Sequence, residues 1–413
     1  MIAQAPLIEA PISIWQQRAH KAGLWLTVLT GAIIPLSTSL TEIFTTLVGV
    51  LWLAAGHYKN LWSQVRSHPL VRSSLLLYAA LGVGVLYTEA AMPDWLGMLR
   101  KYRELLLVVV FMTFLDSAWA RKAALKAFGA AMVVTLLASF YKFYLVPASL
   151  DPNLRVGLPF KNSITHSLLM AVFAFGLVTH VFHHRDDKGT VWKLSALLAV
   201  AIFNLFFMVD GRTGYVVFYL LGLLFLFQKF RFRVAVAGLV LLAGFHFILS
   251  STSTLYQSQW NHLSRGVHKY LEGDTNSSIG MRIEFSRTSY EIMMQSPWVG
   301  HGTGSFRDQY REFGEARGLE RITVNPHNEY MMLGVQLGFL GIGLLLYFMY
   351  TLWRYAFALE PLYRKLAQGL ALTVTAGCFA NSFLMDHTEG TLIMFLTSVL
   401  YSPLMHSSQT KHA

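Results

Sequence analysis

His327 stands in the stretch Asn325-Pro326-His327-Asn328, where a long hydrophilic segment gives way to a long apolar one. Imidazole is the side chain whose ordinary pKa lets it take a proton from a hydroxyl near neutral pH. Asn325 is a good N-cap and Pro326 suits a first helical position. The spacing therefore predicts a helix starting here, with its positive end favouring the neutral ring and Asn328 in support. A histidine that only caps or sits at an interface is the competing reading. Cations form the second group: Arg100, Lys101, Arg103, Lys142, Arg155, Lys161 and Arg212, with Arg282 and Arg287 inside the hydrophilic segment. Arg212 lies in the tight turn Asp210-Gly211-Arg212-Thr213-Gly214. Guanidinium forks match phosphate oxygens, and glycines let a backbone approach them, so an anion such as a lipid-borne pyrophosphate is the expected ligand. Snorkelling, or pairing with Glu42, Glu104, Asp151 or Asp210, is the bland alternative. Arg282 and Arg287 point about 500° apart around a helix, so only one is expected to face the site, and Arg287 reads as solvated. Asp386, His387 and Glu389 fall near the C-terminus in a short polar turn that would orient a hydroxyl or simply meet water. His180, His183 and His184 mimic a metal cluster but read as interfacial. No metal site and no cofactor are expected, since the sequence has no Asp-x-Asp pair, phosphate-binding glycine loop or His-Glu-x-x-His.

Helices in a membrane must position these groups. Apolar residues make up 54% of the 413 and charged residues 13%, too little charge to cover a soluble surface of this size. Apolar runs long enough to cross a bilayer have to be helical, because lipid offers no partner to backbone amides. The reading is an all-α polytopic membrane protein with about twelve spans. They lie near Gly23–Ser37, Leu40–Ala55, Ser73–Tyr87, Leu105–Leu115, Leu125–Val146, Ile164–Phe182, Leu194–Val209, Tyr215–Phe227, Val234–Leu249, Asn328–Leu352, Leu366–Phe383 and Thr391–Leu404. The fourth is short unless the amphipathic stretch Trp95–Arg103 extends it. The polar first twenty residues predict no cleaved signal peptide.

The net charge of +11 is an orientation signal. With the N-terminus inside, cytoplasmic connections carry about 18 basic and about 5 acidic residues, leaving the outer side near −2. Both termini are then cytoplasmic, membrane lipids are partners and nucleic acid is not. The one large connection, residues 250–326 between spans nine and ten, lies outside, and its length marks it as functional. Helices are expected in it over Ser278–Gln295 and Ser305–Arg317, the latter with Phe306, Tyr310 and Phe313 on one face. The whole chain, 1–413, is expected to form a single transmembrane domain, with this loop as part of its active site. Cys378 is the only cysteine, so the chain has no internal disulfide.

Three stretches together resemble the signature of the O-antigen ligases and related polymerases. They are Gly211-Arg212-Thr213-Gly214; Arg282 followed by Ser296-Pro297-Trp298-Val299-Gly300-His301-Gly302-Thr303-Gly304-Ser305-Phe306; and His327-Asn328-Glu329-Tyr330-Met331 with Gly334-Val335-Gln336-Leu337-Gly338-Phe339-Leu340-Gly341. The resemblance covers roughly Val209–Leu345. It implies a GT-C-like glycosyltransferase of the bacterial inner membrane with a periplasmic active site. Such a ligase moves a glycan from undecaprenyl pyrophosphate to a sugar hydroxyl of lipid A-core without a metal. It also implies His327 as base and Arg212 and Arg282 on the pyrophosphate; Arg100, Arg103, Arg155 and Lys161 join them as candidate contacts by their outer-face placement, and Asn328, Asp386 and His387 as candidate supports. A polymerase of the same superfamily is disfavoured, because only one outer loop is large. A ligase acting on a protein acceptor stays open. A secondary transporter would carry ionisable groups at mid-bilayer, where these spans have almost none.

Overall fold

Each predicted apolar run lies on a helix in the computed structural model, which describes residues 13–146, 157–319 and 321–404. The first is α1 (Ile14–Ile33), which begins ahead of its apolar run because Ser13 and Gln16 cap each other reciprocally. After it come α2 (Thr38–Ala54), α3 (Leu61–Ser67), α4 (Pro69–Gly84), α5 (Met92–Tyr102) and α6 (Leu107–Phe114). Then follow α7 (Ala118–Leu145), α8 (Ser163–His183), α9 (Lys188–Phe207), α10 (Arg212–Lys229) and α11 (Phe232–Thr252). The hydrophilic segment folds into α12 (Thr254–Leu271), α13 (Ser278–Met293) and α14 (Phe306–Ala316), and α15 (Glu329–Ala356), α16 (Pro361–Ala380) and α17 (His387–Tyr401) follow. No strand occurs among the described residues. The chain is an all-α polytopic membrane protein.

Of the twelve, α7, α8, α9, α11 and α15 are each long and apolar enough to cross a bilayer alone. A sixth span exists if α2 and the stretch His57–Ser67, bent by 79°, count as one broken crossing. The others are shorter or carry more polar groups. The extreme case is α6, whose side chains are mostly buried against α1, α2 and α17, so it meets protein rather than lipid and need not reach across. The amphipathic stretch before it is helical as α5, and a short 3-10 turn, Arg103–Leu106, connects it along the chain to α6.

The hydrophilic segment holds one helix more than expected, α12. Its stripe of Tyr256, Trp260, Leu263, Val267 and Leu271 has helical spacing, but polar residues around it hide the signal. Tyr256 and Trp260 anchor it in an aromatic cluster with Phe206, Tyr219 and His246.

α15 is broken at Gly338, where φ is +59°, and the break is filled by the glycine-rich loop after α13. The amides of His301 and Gly302 donate to the carbonyls of Val335 and Gln336 (2.9 and 2.8 Å). Those of Phe339 and Leu340 donate to Pro297 and Trp298 (2.6 and 3.2 Å). Four backbone groups that the kink would leave orphaned are thereby paired. Gly300, Gly302 and Gly304 all take positive φ, and a Cβ on Gly302 would lie 2.6 Å from Thr88 Cα. Two separate motifs in the sequence are one structural unit.

Candidate active site

His327 does not lie inside the helix. The N-cap of α15 is Asn328, whose Oδ1 accepts from the amides of Tyr330 and Met331 (3.0 and 3.2 Å), and the first helical residue is Glu329. Asn325 acts elsewhere, its Oδ1 accepting the His327 amide (2.8 Å) and the Ser382 hydroxyl (2.8 Å). This side-chain turn holds His327 at φ +52°, the only positive φ at a non-glycine among the described residues. Such a conformation costs about 1–3 kcal/mol and persists only where surroundings fix it.

The imidazole Nδ1 lies 2.9 Å from Asn381 Oδ1, and Asn381 Nδ2 donates to Asp386 Oδ2 at 3.0 Å. The carboxylate fixes the amide, since only the NH2 end can face it, so Oδ1 must face the ring. Nδ1 is then the donor and Nε2 keeps its lone pair. Burial raises the Asp386 pKa, opposed by the Lys101 charge and the hydrogen bond from Asn381. All these partners lie on the turn between α16 and α17. The last residue of α16 accepts the Arg282 guanidinium at the Ala380 carbonyl (3.2 Å), and the turn donates the Leu384 amide to Glu329 (2.8 Å). Glu329 is fully buried and also accepts the Tyr102 hydroxyl, which ties α5 to the start of α15.

Arg282 is half-buried on α13. Burial holds its pKa below the ordinary guanidinium value, and the charge of Arg212 adds to the effect. The two arginines therefore converge, with Arg282 bonded one residue before His327's partner. Arg212 opens α10 and donates to Ser278 (3.2 Å) at the start of α13. Its flanking glycines pack the helix rather than frame an anion: a Cβ on Gly211 or Gly214 would collide with Ser167 of α8. Arg287 is exposed and pairs with Glu291 (3.3 Å).

Lys161 is buried, donating to Thr38 and Thr388 (2.8 and 3.2 Å). Burial lowers its pKa to about 8, and nearby Glu389 opposes the shift. It lines a polar cavity of ≈ 290 Å³ together with Thr165, Asn381, Asp386 and Glu389. His387 also lines this cavity, but its ring is paired in a second cluster, with Nδ1 2.7 Å from Glu104 and Nε2 3.4 Å from Glu42. Arg103 closes this cluster on Glu42 and, at 3.8 Å, Glu104. Glu42, Glu104 and His387 stand within metal-ligand reach of one another, but Arg103 supplies the opposing charge. Arg100 is exposed on α5, and Arg155 lies outside the described residues.

Nothing in the sequence singles out Asn381 and Tyr102 as site residues, and Glu329 enters only as a member of the stretch that begins at His327. Neutral amides and buried tyrosines occur throughout such sequences, and only the fold brings residues 102, 329 and 381 together.

Among known protein families, residues 197–347 match the one described as O-antigen ligase. The match runs from α9 into α15 and so takes in Arg212, Arg282, the glycine-rich loop and His327. No curated protein matches the chain.

Proposed function

We propose that the chain, whose residues 197–347 match the O-antigen ligase family, is a member of that superfamily and joins a glycan from undecaprenyl pyrophosphate to a sugar hydroxyl of lipid A-core. The reaction takes place at the periplasmic face of the bacterial inner membrane. The observation that carries this is the chain His327–Asn381–Asp386, with Arg282 bonded to the neighbouring Ala380 carbonyl.

The acceptor hydroxyl gives its proton to His327 Nε2 as its oxygen attacks the anomeric carbon. The bond from that carbon to the pyrophosphate oxygen breaks, and the electron pair leaves with the pyrophosphate. Arg282 and Arg212 meet the developing charge, so no proton donor is needed for the leaving group. Asn381 receives Nδ1–H and keeps Nε2 aimed outward; Asp386 fixes Asn381. The cavity beside them, with Lys161 on its wall, admits the reacting end of a substrate. The chemistry runs without a metal.

Purified protein supplied with lipid-linked glycan and lipid A-core tests the proposal. Wild type should extend the core by a polymer, and His327→Ala should insert normally yet transfer nothing. Growth of the glycan on its carrier alone would identify a polymerase instead.

A further inference from the structure

A second cationic space opens on the other side of Arg212. It is ≈ 400 Å³ and is lined by Arg212, by His262, Arg265 and Lys269 of α12, and by Ser277 and Ser278 at the start of α13. Positions 262, 265 and 269 share one helix face. Gly266 lets that face close on α13, since a Cβ there would collide with Ile279 and lie 3.1 Å from Ser277 Oγ. Three permanent cations therefore surround one space, and no carboxylate is among its lining residues. Among the described residues Arg265 uses only Nε, on the Asn261 carbonyl (3.2 Å), which leaves its outer nitrogens open to a ligand. Lys269 pairs with Asp274 at 3.6 Å in solvent, a weak tie. Cations so gathered repel one another until an anion enters, and guanidinium edges suit phosphate oxygens best.

The function proposed above assigns the donor's pyrophosphate to Arg282 and Arg212. The additional charges on α12 need a second anion, and in a two-substrate reaction the acceptor is its source. We propose that this cavity binds a phosphate group carried by the acceptor glycolipid and so aligns the acceptor's hydroxyl with His327. This rests on the ligase reading, but binding can be measured without turnover.

The test is affinity of the full-length protein, in neutral detergent and without donor, for lipid A-core in its phosphorylated and enzymatically dephosphorylated forms. The variant is Arg265→Gln with Lys269→Gln, two exposed positions outside the proposed reaction centre. It should weaken binding of the phosphorylated form about tenfold or more and leave the dephosphorylated form unchanged. No loss, or equal loss for both forms, overturns the proposal. The measurement is repeated in nanodiscs with and without phosphatidylglycerol. A difference that persists in neutral discs supports the acceptor site; one that appears only with phosphatidylglycerol assigns the cavity to a lipid headgroup and overturns it. If wild type transfers no glycan, the ligase reading fails while the binding result stands.

Discussion

At the scale of single residues, His327 is held in an unfavourable backbone conformation by Asn325 and aimed by Asn381. Replacing Asn381 by alanine should lower kcat by about 10–100-fold with little change in KM, because the ring loses its orientation but the substrates keep their contacts. Steady-state transfer kinetics read this directly, and an unchanged kcat would remove Asn381 from the mechanism. Lys161 sets a pH dependence. Its pKa is about 8 when folded against an ordinary 10.5, so the folded state holds this proton less tightly than the unfolded chain. Raising the pH through that window removes a buried charge, so stability should rise while transfer, which uses the cation, falls. Lys161→Arg should keep transfer active to higher pH; an alkaline limb that does not move would argue against Lys161 as a substrate contact. His327, Arg212 and Arg282 stand out as candidates in the sequence because imidazole and guanidinium are the side chains suited to proton transfer and phosphate binding. The amide at 381 does not, because its value lies wholly in which ring it faces.

At the scale of elements, the fold rests on the loop at 296–304 seated in the broken α15. Gly338→Ala would strain a left-handed backbone and bring a Cβ within 2.6 Å of the Trp298 carbonyl carbon. A loss of stability of at least about 1–3 kcal/mol is expected, read as a lower melting temperature in detergent, whereas Gly343→Ala, where nothing crowds a Cβ, should be nearly neutral. Apolar runs announced the bilayer-length helices, because burial in lipid or protein leaves a compositional trace, whereas the polar surroundings of α12 hid it. Boundaries that depend on a cap were less visible: Asn325 has the right chemistry for one, but its side chain turns toward His327 and Ser382, and Asn328 takes the role. The glycines of 211–214 suggest a close approach by phosphate. They bring α10 onto α8 instead, much as those of 300–304 seat the loop on α15.

At the scale of the whole molecule, basic connections facing one way predict that residues 250–326 face the periplasm. With Cys378 replaced by alanine, Arg287→Cys and Arg231→Cys offer exposed thiols in the loop and in a connection expected to be cytoplasmic. A membrane-impermeant thiol reagent applied to cells with a permeabilised outer envelope should label position 287 and spare 231; the reverse pattern would invert the topology. Five helices long and apolar enough to cross alone, with shorter ones packed among them, explain why span counting from hydropathy is coarse here. A helix screened from lipid by its neighbours is free of the length rule.

The seating of residues 296–304 in the kink also bears on how this chain tolerates exchange with its relatives. Four backbone bonds cross between loop and helix, and positive-φ glycines lie on both sides of the joint. A chimaera that takes either part alone would mismatch a lock and its key, whereas one that takes 296–341 as a block moves both together. Substrate preference should therefore be transplantable through α12 and α13, but only with this joint left whole.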